Sequence, residues 1–287
     1  MAEIQGSYDE LFSAVPRALA ELLDQGDAGG SVAVFVDGNP VVDVWGGFAD
    51  AGRTSPWQRD TITNVWSVTK TMTALCALLL ADRGQLDLDA PACRYWPEFA
   101  AAGKDRVLVR HLLAHTAGLP GWDGPVADLY DWTAATGRLA AQSPQWEPGR
   151  AAGYHSLTQG FLVGEVIRRI TGQSVGEYFA AEVAGPLGAD FHIGLPESQE
   201  GRVAELIPPE RDVTPFTSPT RNPWVSPWYP AAVPGSHCGA CAASRAVAAS
   251  QSYSSSTGPS QSGSPAVCAS RCRTRTFSLP AAANSGQ

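Results

Sequence analysis

The chain has 287 residues, 44% hydrophobic and 9% aromatic, enough for one large domain or two modest ones with a real core. A formal net charge of −8 argues against a nucleic-acid binder, which carries a basic stripe. No apolar run approaches the ~20 residues of a bilayer span, and the start, MAEIQGSYDE, lacks the basic and apolar segments of an export signal. A cytoplasmic protein with no membrane and no nucleic-acid partner is the expectation.

Residues 8–24 place Tyr8, Leu11, Phe12, Val15, Leu19 and Leu22 at helical spacing, which predicts an amphipathic helix on a core. Ser31–Val36 and Val41–Trp45 are β-rich runs joined by Asp37-Gly38-Asn39-Pro40, a strong hairpin signal, and Gly46-Gly47 ends the second run. Thr69–Arg83 predicts an apolar helix closed by Gly84. A short helix over Val107–Ala114 stops at Ala117-Gly118-Leu119-Pro120, and another covers about 125–141. Leu157–Ile170 reads as a helix capped at Gly172, with one more over Val175–Val183. A lone hairpin is marginal in water, so the 31–45 pair needs partner strands from elsewhere in the chain.

The composition breaks near residue 212. All 28 acidic residues and 15 of the 20 basic ones precede the break, giving that part a charge of −13. Residues 213–287 hold no Asp, Glu or Lys and five Arg. Cys238-Gly239-Ala240-Cys241 and Cys268-Ala269-Ser270-Arg271-Cys272 have spacings that zinc sites use. The interval between them is SYSSSTGPSQSGSP, without the strand and turn pattern of a zinc ribbon. A low-complexity, disordered tail with incidental thiols is the plainer reading. The other is an out-of-frame tail, with the shift between about 213 and 240, because a GC-rich gene read out of frame yields Ala, Arg, Ser, Pro, Gly and Cys. The expected organisation is a domain over 1–212, with a helical part at about 70–165, followed by the 213–287 tail.

Four local patterns bear on chemistry. Ser67-Val68-Thr69-Lys70 is an S-x-x-K at the start of the apolar helix. One helical turn sets Lys70 on the face of Ser67, and a partly desolvated amine activates a hydroxyl nucleophile. Alone, the pattern is equally a helix cap with a surface lysine. Gly153-Tyr154-His155-Ser156 precedes the 157–170 helix. Its phenol can share a proton with a serine or lysine, or the pair can be a buried tyrosine and a capping serine. His111 and His115 lie four apart, but there is no H-E-x-x-H and no clear third ligand. They are expected to hold a helix end and a turn by hydrogen bonds. Gly172-Gln173-Ser174-Val175-Gly176 satisfies G-x-S-x-G, but a helix, not a strand, precedes it. Gly172 reads as a helix C-cap and Ser174 as an N-cap.

Taken together, Ser67-Val68-Thr69-Lys70, the segment HLLAHTAGLPGW (111–122), Trp146-Glu147-Pro148-Gly149, Tyr154-His155-Ser156 and the DGNPVVDVWGG hairpin resemble the serine β-lactamase-like superfamily. That group includes class C β-lactamases, penicillin-binding proteins and family VIII carboxylesterases. The motifs keep their order over about residues 10–200. The resemblance implies an α+β fold: an antiparallel sheet flanked by helices, plus an all-helical domain. It implies acylation at Ser67, with Lys70 and Tyr154 as paired general base and acid. Ser156 stands where β-lactamases carry Asn, as a substrate-positioning residue, and the backbone N–H of Ser67 gives half an oxyanion hole. No cofactor or metal is implied.

Within the group, the Tyr-x-Ser variant and the stray G-x-S-x-G are similar to family VIII esterases, so the expected substrate is a small-molecule ester. The alternatives are a β-lactamase or D-amino-acid peptidase, or an inactive remnant. Relatives carry a third motif, Lys-Thr-Gly or a His/Trp-x-Gly variant, on a late sheet strand, and none follows Ser156 here. The late strands of the sheet are therefore expected to be missing. One lost oxyanion donor typically costs about 10²–10³ in rate.

Overall fold

The computed structural model describes residues 1–207 and two later strands, Ala246–Ala248 and Ala266–Arg271. The remainder of the 213–287 stretch, with the side chains of Cys238, Cys241, Cys268 and Cys272, lies outside the described residues, so the zinc and reading-frame expectations fall there too. The chain divides into two compact units. One is built on residues 1–63, 204–212 and 257–287, the other on 64–203 and 213–256.

The first unit is a sheet with one helix. Strand β1 (Ile4–Tyr8) is followed by helix α1 (Ala14–Asp24) and by the antiparallel pair β2 (Gly29–Val36) and β3 (Asn39–Gly47). Asp37 and Gly38 turn the hairpin with φ of 50° and 78°, both positive, as a two-residue type I′ turn requires. At the far end Gly47 has φ 78°, and a Cβ there would lie 2.3 Å from the Ala28 carbonyl oxygen, so only glycine fits. Leu19 and Leu23 of α1 pack on Val34, Val42 and Val44 of the hairpin. Each such buried aliphatic contributes about 1.5–3 kcal/mol.

The predicted helix over 8–24 starts later than its apolar spacing suggests. Tyr8 belongs to β1, which pairs antiparallel with β3 from Ile4↔Gly46 to Tyr8↔Val42. Asp9 then accepts the Leu11 N–H at 3.1 Å and opens a short 3₁₀ turn. The polar cap between Tyr8 and Leu11 marks the break that periodicity alone misses. The hairpin's other edge is also filled. Ala266–Arg271 runs antiparallel along β2 from Gly30↔Arg271 to Phe35↔Ala266. The expectation that late strands are missing is to this extent corrected: the sheet order is β1, β3, β2 and this late strand. Ladder pairing is a main-chain interaction, which is why an Ala- and Ser-rich composition did not signal it.

The second unit is mainly helical: α2 (Thr69–Asp82), α3 (Val109–Leu113), α4 (Trp132–Ala141), α5 (Thr158–Thr171) and α6 (Val175–Phe179), with a short strand Phe191–Ile193 paired to Ala246–Ala248. The expected helix over 125–141 is two pieces. Asp131 interrupts it and caps α4, accepting the Ala134 N–H at 3.0 Å. Helix α5 is buried on nearly every side and packs with Cys76, Leu80, Leu112 and Leu139 in one core. Burial pushes the Cys76 thiol up to about 12, so it behaves as a small hydrophobe. Among the described residues no helix is long and apolar enough to cross a membrane.

Two buried charges fasten this unit. Glu165 of α5 is 1% exposed. Burial works to raise its carboxyl, but hydrogen bonds from Arg168, Arg169 and Trp132, all at 2.7–2.8 Å, outweigh it and hold the group below the usual range. Lys104, 0% exposed, donates to the carbonyls of Ala101 (2.8 Å), Ala140 (2.9 Å) and Gln142 (2.5 Å). Three N–H groups meet three acceptors, and two of these, Ala140 and Gln142, are at the C-terminal end of α4, where helix carbonyls lack partners. Burial pulls this amine down to about 8, which leaves it charged at neutral pH. Replacing it as Lys104→Met keeps the apolar stem and takes the donor from three carbonyls, of which that of Ala140 is buried. The expected loss is about 3 kcal/mol, read as a lower urea midpoint with an unchanged m-value.

Candidate active site

The residues Ser67, Lys70, Tyr154 and Ser156 all belong to the helical unit. Trp66–Val68 form one 3₁₀ turn that runs directly into α2. Trp66 has φ 49°, an unusual conformation for a bulky residue. Two hydrogen bonds hold it there: its N–H donates to Asn64 Oδ1 at 2.9 Å, and Thr69 Oγ1 donates to its carbonyl at 2.6 Å. The bend leaves Ser67 exposed at the head of a 14-residue helix whose opposite side is core.

Lys70 is half-buried one turn further on. Its Nζ lies 3.3 Å from Ser67 Oγ and 2.8 Å from the Ser156 carbonyl oxygen. The partner from the second motif is thus the main chain of Ser156. Its side chain neither meets Lys70 nor caps α5, whose N-cap is Leu157. Tyr154 is 54% exposed, so it is not the buried tyrosine of the plainer reading. Its ring centroid lies 5.1 Å from Lys70 Nζ, within cation–π range. The phenol makes no hydrogen bond among the described residues. The structure therefore brings all four predicted residues together. It links three of them by hydrogen bonds through Lys70 and the fourth by its ring face.

Two histidines hold this arrangement. The His115 carbonyl accepts the Gly153 N–H at 3.1 Å, and its Nδ1 accepts the His155 N–H at 3.1 Å. The His155 ring donates from Nδ1 to the Gly153 carbonyl at 2.5 Å and accepts the Leu119 N–H on Nε2 at 3.1 Å. Further along, Gly149 N–H donates to Thr116 O and Gln145 N–H to Gly118 O. The segments 115–119 and 145–155 are laced together, with the Trp146 indole against Gly153, where a Cβ would come within 2.5 Å of the ring. His115 and His155 were not among the predicted site residues. The signal was present in their motifs, but a histidine that fastens backbone looks in sequence like any other.

The two bland expectations hold. His111 Nδ1 accepts the Leu108 N–H at 3.3 Å at the start of α3, and His115 pins the turn beyond it. Each thereby commits a lone pair that a metal would need. Gly172 ends α5 with φ 75°, and Ser174 forms a capping box with Glu177 at the start of α6.

The comparisons with known proteins agree with the motif pattern. The family model described as Beta-lactamase matches residues 15–255. The esterase/beta-lactamase LipL of Mycobacterium tuberculosis is 43% identical over 209 residues, covering 71% of this chain and 48% of LipL. Esterase EstB of Burkholderia gladioli is 35% identical over 161 residues, covering 50% and 41%. Among solved structures, a family VIII carboxylesterase superposes with a TM-score of 0.68 at 49% identity, covering 72% of this chain and 58% of that one. The chain spans about half the length of these curated relatives.

The lacing also sets a pH response. Burial pulls the His155 imidazole down to about 4; its bond to the Gly153 carbonyl opposes this, and the nearby His115 adds a little to it. The unfolded chain then binds a proton near pH 6.5 that the fold refuses until about pH 4. The associated stability is complete above pH 6.5 and is lost as pH falls toward 4, a loss of the order of 3 kcal/mol. Urea midpoints taken from pH 7.5 to 4 are expected to show this slope, and His155→Gln, which does not titrate, is expected to flatten it from a lower starting stability.

Proposed function

The chain belongs to the beta-lactamase family, and from that premise we propose that it is a serine hydrolase cleaving carboxylic esters through an acyl-enzyme on Ser67. The observation that carries the reading is the position of Lys70 Nζ, shared between Ser67 Oγ at 3.3 Å and the Ser156 carbonyl at 2.8 Å. A carbonyl that accepts one N–H of the amine orients the rest of the group. In its neutral form Lys70 then turns its lone pair to the Ser67 hydroxyl and takes the proton as Oγ attacks the ester carbonyl. The ammonium so formed faces the Tyr154 ring, whose quadrupole favours it. The Tyr154 phenol passes a proton to the leaving alkoxide, and the backbone N–H of Ser67 receives charge on the carbonyl oxygen. The Lys70 ammonium then returns its proton to the Tyr154 phenolate, and the neutral amine takes a proton from the water that attacks the acyl-enzyme. As the tetrahedral adduct collapses, Ser67 Oγ leaves and regains that proton from Lys70, freeing the acid and restoring all three groups. Ser156 lies next to the ester as a positioning residue, with its carbonyl as the part already engaged.

Esters are favoured over β-lactams because esterase stands in the names of LipL, EstB and the superposed carboxylesterase. The LipL name also carries beta-lactamase, and a penicillin-binding protein homolog from Caulobacter crescentus superposes with a TM-score of 0.73 at 35% identity, covering 86% of this chain and 68% of that one. A β-lactam is therefore the second substrate class.

The test is covalent. A fluorophosphonate probe is expected to label Ser67, located by peptide mapping, and p-nitrophenyl butyrate is expected to be turned over faster than nitrocefin. Ser67→Ala should remove labelling and lower kcat by at least about 10³-fold. Folded protein that takes no label would make the chain an inactive remnant. Ser174→Ala should cost about 1 kcal/mol of stability through its cap while the probe still labels Ser67. Activity that survives Ser67→Ala and vanishes with Ser174→Ala would reverse the assignment.

A further inference from the structure

His115 has no role in the acyl transfer outlined above, yet it touches Tyr154 and both of that residue's neighbours in the chain. It adopts φ 61°, a left-handed conformation costing a non-glycine residue about 1 kcal/mol or more. From that position it makes three contacts with three consecutive residues: its carbonyl takes the Gly153 N–H, its ring lies 4.7 Å from the Tyr154 ring, and its Nδ1 takes the His155 N–H. The residues on either side of Tyr154 are thus both tied to His115, and the phenol ring is packed on it. On the far side His155 is fixed by the Leu119 N–H and the Gly153 carbonyl, so the tie has little slack.

We propose that His115 is a positioning residue for Tyr154: as a neutral imidazole protonated on Nε2, it uses Nδ1 to fix the 153–155 segment and its ring to set where the phenol meets Lys70 and the substrate. The inference rests on the acyl-transfer reading of this site. Lys70 supplies the reason for neutrality. A protonated His115 would lose its acceptor and set a second cation beside the ammonium that Lys70 becomes on taking the Ser67 proton. Burial and then the Lys70 charge both hold its imidazole below the ordinary value, which agrees. An asparagine can keep an acceptor at the Nδ1 position and tolerates left-handed backbone, whereas phenylalanine keeps only the ring.

The experiment measures kcat and KM for p-nitrophenyl butyrate in wild type, His115→Phe and His115→Asn, with circular dichroism to check folding. His115→Phe is expected to lose about 100-fold in kcat with KM within twofold, and His115→Asn to recover most of that loss. Full kcat in His115→Phe, a change confined to KM, or an Asn variant no better than Phe would each overturn the assignment. Should the Phe variant fail to fold, ¹⁵N spectra of the wild type decide. An unprotonated Nδ1 and protonated Nε2 on His115 at pH 7 are expected, and the opposite tautomer overturns the proposal. A wild type that neither hydrolyses the ester nor takes the fluorophosphonate label would instead sink the acyl-transfer reading itself. Turnover with an unaffected Phe variant sinks only the role of His115.

Discussion

One amine holds the site together. Lys70 Nζ joins the head of α2 to the chain just before α5, 86 residues later, through Ser67 Oγ and the Ser156 carbonyl. Packing of the helical unit holds those two points on either side of the amine. Helix α2 is anchored by Cys76, Ala77 and Leu80, and α5 by its buried length around Leu162 and Ile167. The Trp66 bend lifts the serine out of the helix axis, and the lacing of 115–119 to 145–155 fixes the carbonyl end. A half-buried amine between a hydroxyl and a carbonyl is the arrangement on which the proposed proton transfer rests.

The division of labour between side chain and backbone explains what was readable in advance. Ser67, Lys70 and Tyr154 stood out because their chemistry is written in residue type and spacing. The Ser156 carbonyl did not, because any residue could supply it and only the path of the chain selects that atom. His155 is fully buried and neutral, and its two ring nitrogens are spent on main-chain groups 36 residues apart and two residues away. Such a role depends on three-dimensional closure, which spacing along one segment does not encode. The Gly118 and Gly153 positions belong to the same closure, each facing the 144–146 stretch too closely for a side chain.

The fold divides similarly. The hairpin was legible from Asp37-Gly38 between alternating apolar runs, and α2 and α5 from apolar runs closed by Gly84 and Gly172. Strand β1 was not, since four of its five residues are exposed and leave no alternation to read. The Ala266–Arg271 strand was hidden for a related reason: an edge partner needs main-chain amides more than any pattern. The break of 125–141 at Asp131 shows a cap outweighing an apolar count. G-x-S-x-G around Ser174 failed as a nucleophile signal because the local geometry is a helix end followed by a helix start.

The Glu165 cluster has a consequence for how the molecule meets its solvent. Ion pairs such as Arg59–Asp43 and Arg83–Glu182 lie at the surface, where dissolved electrolyte weakens them. Glu165 sits under its arginines with almost no contact with water, on the helix that begins two residues after the Ser156 carbonyl. Brine that loosens the periphery therefore leaves this rivet largely unscreened, and the helix that follows the Ser156 carbonyl inherits a tolerance to ionic strength that the outer surface lacks.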